Sequence, residues 1–128
     1  MVDANVVVRA CLEIEGFGPL AAHELAAPAL LASEALNALR EGAWRGEISP
    51  ELADLARRRL AAIPVRLERP TDLAERAWTI AETLGWAKTY DAEYVALAQI
   101  LDCPLVTLDA KLLRGAGHLV RIIGPAEF

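Results

Sequence analysis

Residues 91–101 read Asp-Ala-Glu-Tyr-Val-Ala-Leu-Ala-Gln-Ile-Leu, and residues 104–109 follow with Pro-Leu-Val-Thr-Leu-Asp. The first segment carries apolar residues almost all round a helix, which predicts a helix buried on several sides. The second is a short apolar run between a proline and an acid, which is typical of a central parallel strand. A buried helix that leads into a buried strand indicates an α/β protein.

The rest of the chain shows the same alternation of short apolar runs and longer helical patterns, which predicts a parallel sheet covered by helices. No repeat, low-complexity tract or linker interrupts it, so we expect one domain over residues 1–128. Further strands are predicted at residues 1–3, 24–27, 65–67 and 119–123. Further helices are predicted at residues 4–14, 29–44, 50–63, 73–84 and 110–114.

The composition, with 55% hydrophobic and 24% charged residues, is that of a globular protein. No apolar run approaches the roughly 18–20 residues that a membrane helix needs, and no secretion signal begins the chain. The two cysteines, Cys11 and Cys103, lack metal-binding spacing and are interpreted as buried thiols in a reducing compartment. We therefore expect a cytoplasmic protein without a membrane segment.

The net charge of −5 gives no basic surface for nucleic acid. Much of that excess is carried by four carboxylates in unusual places, because removing four negative charges leaves only −1. Overall charge therefore argues neither for nor against an RNA partner.

Four acidic residues lie where an α/β fold brings side chains together. Asp3 and Asp109 each end a predicted strand, and Asp91 begins the buried helix. Ligands of open α/β sheets bind beyond the carboxyl ends of the strands, so these three are expected at one rim. Glu34 and Asn37 interrupt an otherwise apolar helix face one turn apart, which is the less obvious part of the pattern.

Each acid also has an ordinary structural interpretation. Asp3, Asp91 and Asp109 precede helices, where Asp is a common N-cap, and Glu34 would face solvent if its helix were tilted. Four such coincidences together are a poor explanation of the pattern, so we interpret the acids as one site.

Ionised carboxylates held close together raise one another's pKa values. Mg²⁺ or Mn²⁺ would relieve that repulsion, because hard cations prefer oxygen ligands. Such ions activate water and stabilise the attacking and leaving oxygens in phosphodiester hydrolysis. The predicted chemistry is therefore metal-dependent hydrolysis of a phosphodiester.

Four parts of the sequence together resemble the PIN domain. They are Met-Val-Asp-Ala-Asn, the helix of Glu34 and Asn37, Tyr-Asp-Ala-Glu-Tyr-Val-Ala-Leu-Ala and Leu-Val-Thr-Leu-Asp. The likeness is greatest to the VapC toxins of bacterial toxin–antitoxin pairs and extends over essentially the whole chain. It implies an α/β/α sandwich with a mainly parallel sheet of about five strands.

The resemblance also implies a Mg²⁺- or Mn²⁺-dependent endoribonuclease that forms a homodimer and is silenced by a cognate antitoxin. The family's catalytic and metal-binding quartet corresponds to Asp3, Glu34, Asp91 and Asp109. The resemblance also places supporting polar residues, which would hold carboxylates or water, at Asn5 and Thr107. Asn37, one turn from Glu34 on the same helix face, is a third candidate for such support.

This chain departs from the family's pattern at its start, where only Met1 and Val2 precede Asp3. The first strand is shorter than is usual, which predicts weak anchoring of Asp3 or an upstream start.

Basic residues beside the acids are candidates for phosphate contacts, namely Lys88, Lys111 and Arg114. The run at residues 57–59 is interpreted as a solvated helix face. The three tryptophans, Trp44, Trp78 and Trp86, are expected in the core or in an interface, with Trp86 a lesser candidate for base stacking.

Two other functions are compatible with a small acidic α/β protein. One is a PIN-like module that binds RNA or protein without cutting; the presence of all four acids argues against it. The other is a phosphoacceptor signalling domain, which would want paired acids after the first strand, where this chain has one.

Overall fold

The computed structural model describes residues 1–127 and has the predicted alternation of helices and strands. Two short 3-10 turns lie at Gly18–Leu20 and Pro125–Glu127. The helices are α1 (Ala4–Leu12), α2 (Leu31–Trp44), α3 (Pro50–Ala61), α4 (Leu73–Leu84), α5 (Tyr90–Leu101) and α6 (Ala110–Ala116). The strands are β1 (Leu25–Pro28), β2 (Val65–Glu68), β3 (Leu105–Val106) and β4 (Ile122–Ile123).

The sheet is smaller than the predicted five strands. Strands β1 and β2 pair in parallel, and so do β3 and β4. Val2 joins the two pairs, since it forms a parallel bridge with Val106 and its N–H donates to the carbonyl of Ala26 at 3.0 Å. The N-terminal segment does not extend into a strand because α1 begins at Ala4, directly after Asp3.

The N-terminal segment is nevertheless well anchored, contrary to the expectation from its length. Met1 and Val2 are buried. The carbonyl of Met1 accepts from the N–H of Val106 at 2.7 Å, and the N–H of Asp3 donates to the carbonyl of Val106 at 3.2 Å. Hydrogen bonds inside the sheet layer therefore hold the backbone that carries Asp3.

The helices form two groups around the sheet, giving the predicted α/β/α class. Helices α1, α2 and α3 pack on one another, whereas α4 packs on α5, which contacts β1 and β3. The predicted burial of α5 is confirmed, because five consecutive residues from Tyr94 to Ala98 are buried. This buried helix fixes the position of the residues at its N-terminal end.

Helix ends follow local chemistry in most places. The hydroxyl of Ser49 accepts from the N–H of Leu52 at 3.1 Å and caps α3. Gly85 ends α4 in the left-handed conformation, at φ 70°. Asp72 precedes α4, but its side chain makes no capping bond and pairs with Arg76 instead.

Two of the tryptophans are on the surface rather than in the core of the chain. Trp44 is 75% exposed and Trp78 is 66% exposed, whereas Trp86 is half-buried and packs against Gly115. Among residues 1–127, no helix is long and apolar enough to cross a membrane.

Candidate active site

Asp3 is the most buried of the four predicted site acids, at 7% exposure. Its Oδ1 accepts from the N–H of Val6 at 3.0 Å and caps α1, and its Oδ2 accepts a short hydrogen bond from the Thr107 hydroxyl. Burial raises the pKa of the Asp3 carboxyl, while these two hydrogen bonds oppose the rise and the nearby charges of Asp109 and Asp91 add to it. Asp3 is thus an N-cap and also part of an acidic cluster.

The Thr107 hydroxyl connects Asp3 to Asp109. It accepts from the N–H of Asp109 at 2.9 Å, so its single proton is available to the Asp3 carboxylate. The Oδ1 of Asp109 accepts from the N–H of Lys111 at 2.8 Å and caps α6. The buried Thr107 hydroxyl therefore holds both the backbone at Asp109 and the carboxylate of Asp3.

Glu34 lies in the first turn of α2 and is half-buried. The Tyr94 hydroxyl donates to its Oε1 at 2.6 Å across 60 residues of sequence. Burial raises the pKa of Glu34, the hydrogen bond from Tyr94 opposes this, and the charges of Asp91, Asp3 and Glu93 raise it further. Glu34 thus faces the cluster instead of solvent.

Asp91 is the most open of the four acids. It is the second residue of α5, whose N-cap position is held by Thr89, so the N-cap interpretation of Asp91 is wrong. Its side chain is exposed and makes no hydrogen bond or ion pair within the described part of the chain. Partial desolvation raises the pKa of Asp91, and the charge of Asp109 adds to the rise.

The four carboxylates act on one another, since Asp3 interacts electrostatically with Asp91 and Asp109, and Asp91 with Glu34 and Asp109. Throughout residues 1–127, no arginine or lysine forms a salt bridge with any of them. In the same residues, no three His, Cys, Asp or Glu side chains are arranged to hold one ion. The donor type, carboxylate oxygen without a basic partner, is nevertheless the type that a divalent cation binds, although these side chains are not spaced around one ion.

Two predicted supporting residues make no hydrogen bond to the four carboxylates within residues 1–127. The amide of Asn37 donates to Oε1 of Glu41 at 3.2 Å on the exposed side of α2. Asn5 is exposed, and its side chain makes no hydrogen bond to another described residue. Of the three supporting residues, the structure therefore brings only Thr107 to the cluster.

Of the three basic residues predicted to contact phosphates, two lie beside Asp91 and one does not. Lys88 and Lys111 line one groove together with Asp91, beside the half-buried Trp86. Arg114 is exposed and is not part of that groove. Two lysines therefore flank the most open acid without pairing with it.

Two residues near the cluster were missed at the level of sequence. Tyr94 is 2% exposed, and its pKa is raised by burial and by its bond to Glu34. A tyrosine in a helix buried on several sides needs a partner for its hydroxyl, which was the available signal. Glu93 is half-buried, and its charge acts on Glu34.

Comparisons with known proteins agree with this fold. A family model for the PIN domain matches residues 1–117. VapC ribonuclease Mb0985 from Mycobacterium bovis is 34% identical over 113 residues, which cover 88% of this chain and 87% of that protein. Ribonuclease VapC1 from Mycobacterium tuberculosis is 39% identical over 95 residues, which cover 71% of this chain and 67% of that protein.

The crystal structure of PAE2754 from Pyrobaculum aerophilum is also similar, with a TM-score of 0.75 and 25% identity. The match covers 98% of this chain and 90% of that one. The family match spans most of the chain, and the relatives exceed 30% identity over most of their own lengths. The chain therefore belongs to the PIN domain family, as a VapC-like member.

Proposed function

We propose that this protein is a metal-dependent endoribonuclease and the toxin of a toxin–antitoxin pair. Its relatives carry the name ribonuclease. The observation that carries the proposal is the acidic cluster, in which four elements contribute carboxylates that interact without a basic partner among the described residues.

Asp3, Glu34, Asp91 and Asp109 would hold Mg²⁺ or Mn²⁺. When bound, such an ion supplies a water of lowered pKa and stabilises negative charge on phosphate oxygens. The Thr107 hydroxyl orients the Asp3 carboxylate and the Tyr94 hydroxyl orients Glu34, so two of the four ligands are held by buried donors.

The remaining parts of the proposal concern the substrate and partners. Lys88 and Lys111, which line the groove beside Asp91, would contact RNA phosphates there. The chain would act as one PIN domain, which the single connected core supports. We further propose that the protein forms a homodimer, is located in the cytoplasm and binds a cognate antitoxin.

Cleavage of single-stranded RNA in Mg²⁺ or Mn²⁺, and its loss in EDTA, is the direct test. Asp91→Asn and Glu34→Gln are expected to reduce the cleavage rate by at least about a hundredfold, since each removes a charged ligand. Glu41→Gln is the matched control, because Glu41 lies on the same helix as Glu34 on its exposed side.

Two results would count against the proposed ribonuclease function. Cleavage by Asp91→Asn at the wild-type rate would show that the acidic cluster does not carry the activity. RNA binding without cleavage in either metal, together with no Mg²⁺ or Mn²⁺ binding by calorimetry, would favour the non-catalytic module.

A further inference from the structure

A groove of about 440 Å³ lies between the first half of α4 and the start of α5. Its polar lining consists of Arg69, Thr71, Thr89 and Glu93, and Trp78 forms part of its wall. We propose that this groove is a nucleotide subsite, which holds an unpaired RNA base on Trp78 next to the acidic cluster. The inference rests on the proposed ribonuclease function and adds the place where the substrate is recognised.

Trp78 is the first reason to look for a ligand here. Helix α4 already buries Leu73, Ala77, Ile80 and Ala81, whereas Trp78 is 66% exposed. Its neighbour one turn earlier, Ala74, also lines the groove and has only a methyl group. A large aromatic side chain beside small ones leaves room for a flat guest, and every nucleobase can stack on an indole.

Arg69 is the second reason. The neighbouring arginines Arg66 and Arg76 form ion pairs with Glu68 and Asp72. Arg69 forms no ion pair within 4.0 Å in the part of the chain that the structure describes. Its charge acts on the Glu93 carboxylate of the same groove, and without a close ion pair the guanidinium is suited to a phosphate of the RNA backbone.

The other polar groups match the edge of a base. Thr71 and Thr89 have hydroxyls that donate and accept. Glu93 is half-buried, and its carboxylate can accept from an amino group of a base. A cation, an acceptor, two hydroxyls and an indole together complement a nucleotide, whereas a groove that docks an apolar protein segment would lack this mixture.

The groove is connected to the acidic cluster through Glu93. That residue lies two positions after Asp91 on α5, and its charge acts on the carboxylate of Glu34. In this proposal one RNA strand runs from the groove to the acids, with a base in the groove and a phosphate of the same strand at the acids. Base choice at one position of the cleavage sequence would then depend on this groove.

The test measures binding apart from cleavage. Fluorescently labelled single-stranded oligoribonucleotides are titrated in EDTA, and KM and kcat are measured separately in Mg²⁺. Trp78→Ala and Arg69→Gln are each expected to weaken RNA binding and raise KM about fivefold or more, from the lower end of the stacking range. Preference among poly-U, poly-C and poly-A substrates should decrease in Trp78→Ala.

Matched controls are available on α2 and directly after it. Trp44 is 75% exposed and Arg45 has an exposed side chain, and neither lines the groove. Trp44→Ala and Arg45→Gln should therefore change RNA affinity less than twofold, and circular dichroism should show that all four variants are folded.

The outcomes separate the subsite from the proposed function. Wild-type RNA affinity in both Trp78→Ala and Arg69→Gln overturns the subsite, even if Asp91→Asn abolishes cleavage as expected. Loss of self-association in Trp78→Ala with unchanged RNA affinity also overturns it and makes this face a protein interface. Absence of metal-dependent cleavage by the wild type counts against the proposed function, and the binding titration then still decides the subsite.

Discussion

Replacing Tyr94 by Phe removes one hydroxyl and leaves the buried ring in place. That hydroxyl donates to Oε1 of Glu34 at 2.6 Å, and Tyr94 is 2% exposed. A hydrogen bond to a charged acceptor contributes about 1.5–3 kcal/mol, and water at the half-buried Glu34 replaces part of it. We therefore expect Tyr94→Phe to lower the free energy of unfolding at pH 7 by about 1–2 kcal/mol.

The effect should depend on pH because the bond opposes the rise in the pKa of Glu34. Removing the hydroxyl raises that pKa further, so the wild-type advantage is present above the pKa of Glu34 and decreases as the pH falls through it. The assay is urea unfolding at pH 7 and at pH 4. Both measurements are made in EDTA so that no metal competes for the carboxylate.

Tyr90→Phe is the control, because Tyr90 lies on the same helix, is 56% exposed and makes no hydrogen bond within residues 1–127. It should change the free energy of unfolding by less than about 0.5 kcal/mol. A Tyr94→Phe protein as stable as wild type at pH 7 would refute the reasoning, as would an equal loss at both pH values.

Three further changes test other parts of the structure. In EDTA, partial desolvation and the charge of Asp109 raise the pKa of Asp91, so its ionised form disfavours the folded state above the folded pKa. Because solvent screens this exposed group, Asp91→Asn should raise the Tm at pH 7 by no more than about 2 °C in scanning calorimetry, and a lower Tm would contradict this. Gly117→Ala would place a Cβ 2.6 Å from the carbonyl oxygen of Leu113, so urea unfolding should show a loss of about 1–3 kcal/mol; a fully stable variant would mean that the end of α6 moves freely. Ser49→Ala removes the acceptor for the N–H of Leu52 and should reduce the free energy of unfolding by about 1 kcal/mol in the same assay, whereas Ser49→Asp, which keeps an acceptor, should retain stability.

Local patterns predicted most of the elements correctly. Helices α3 and α5 and strand β1 lie within a few residues of their expected positions, because caps and hydrophobic periodicity act over one or two turns. The strand count was too high. The predicted strand at residues 1–3 is reduced to an isolated bridge at Val2, because α1 begins at Ala4. Strand β3 is likewise short and ends at Val106, three residues before the cap of α6.

The residues around the acids were harder to predict. Thr107 was identified through the resemblance to the PIN domain, and its hydroxyl hydrogen-bonds both the Asp3 carboxylate and the N–H of Asp109. Asn37 was chosen for its spacing to Glu34, but it bonds to Glu41 one turn further along the helix. Spacing limits which face a side chain lies on, whereas its rotamer is selected by the neighbour that satisfies its polar atoms.

The amino-acid sequence by itself determined the α/β class and the buried α5 helix, and it singled out the four acids that are proposed as the site, because these depend on periodicity and on charges beside apolar runs. Only the tertiary structure decided that Tyr94 bonds Glu34 across 60 residues, that Asp91 remains without a hydrogen-bond partner among residues 1–127, and that Trp78 is exposed beside Arg69. The reason is physical: a side chain's partner and its exposure depend on which elements pack beside it, and packing joins residues that are distant in the chain.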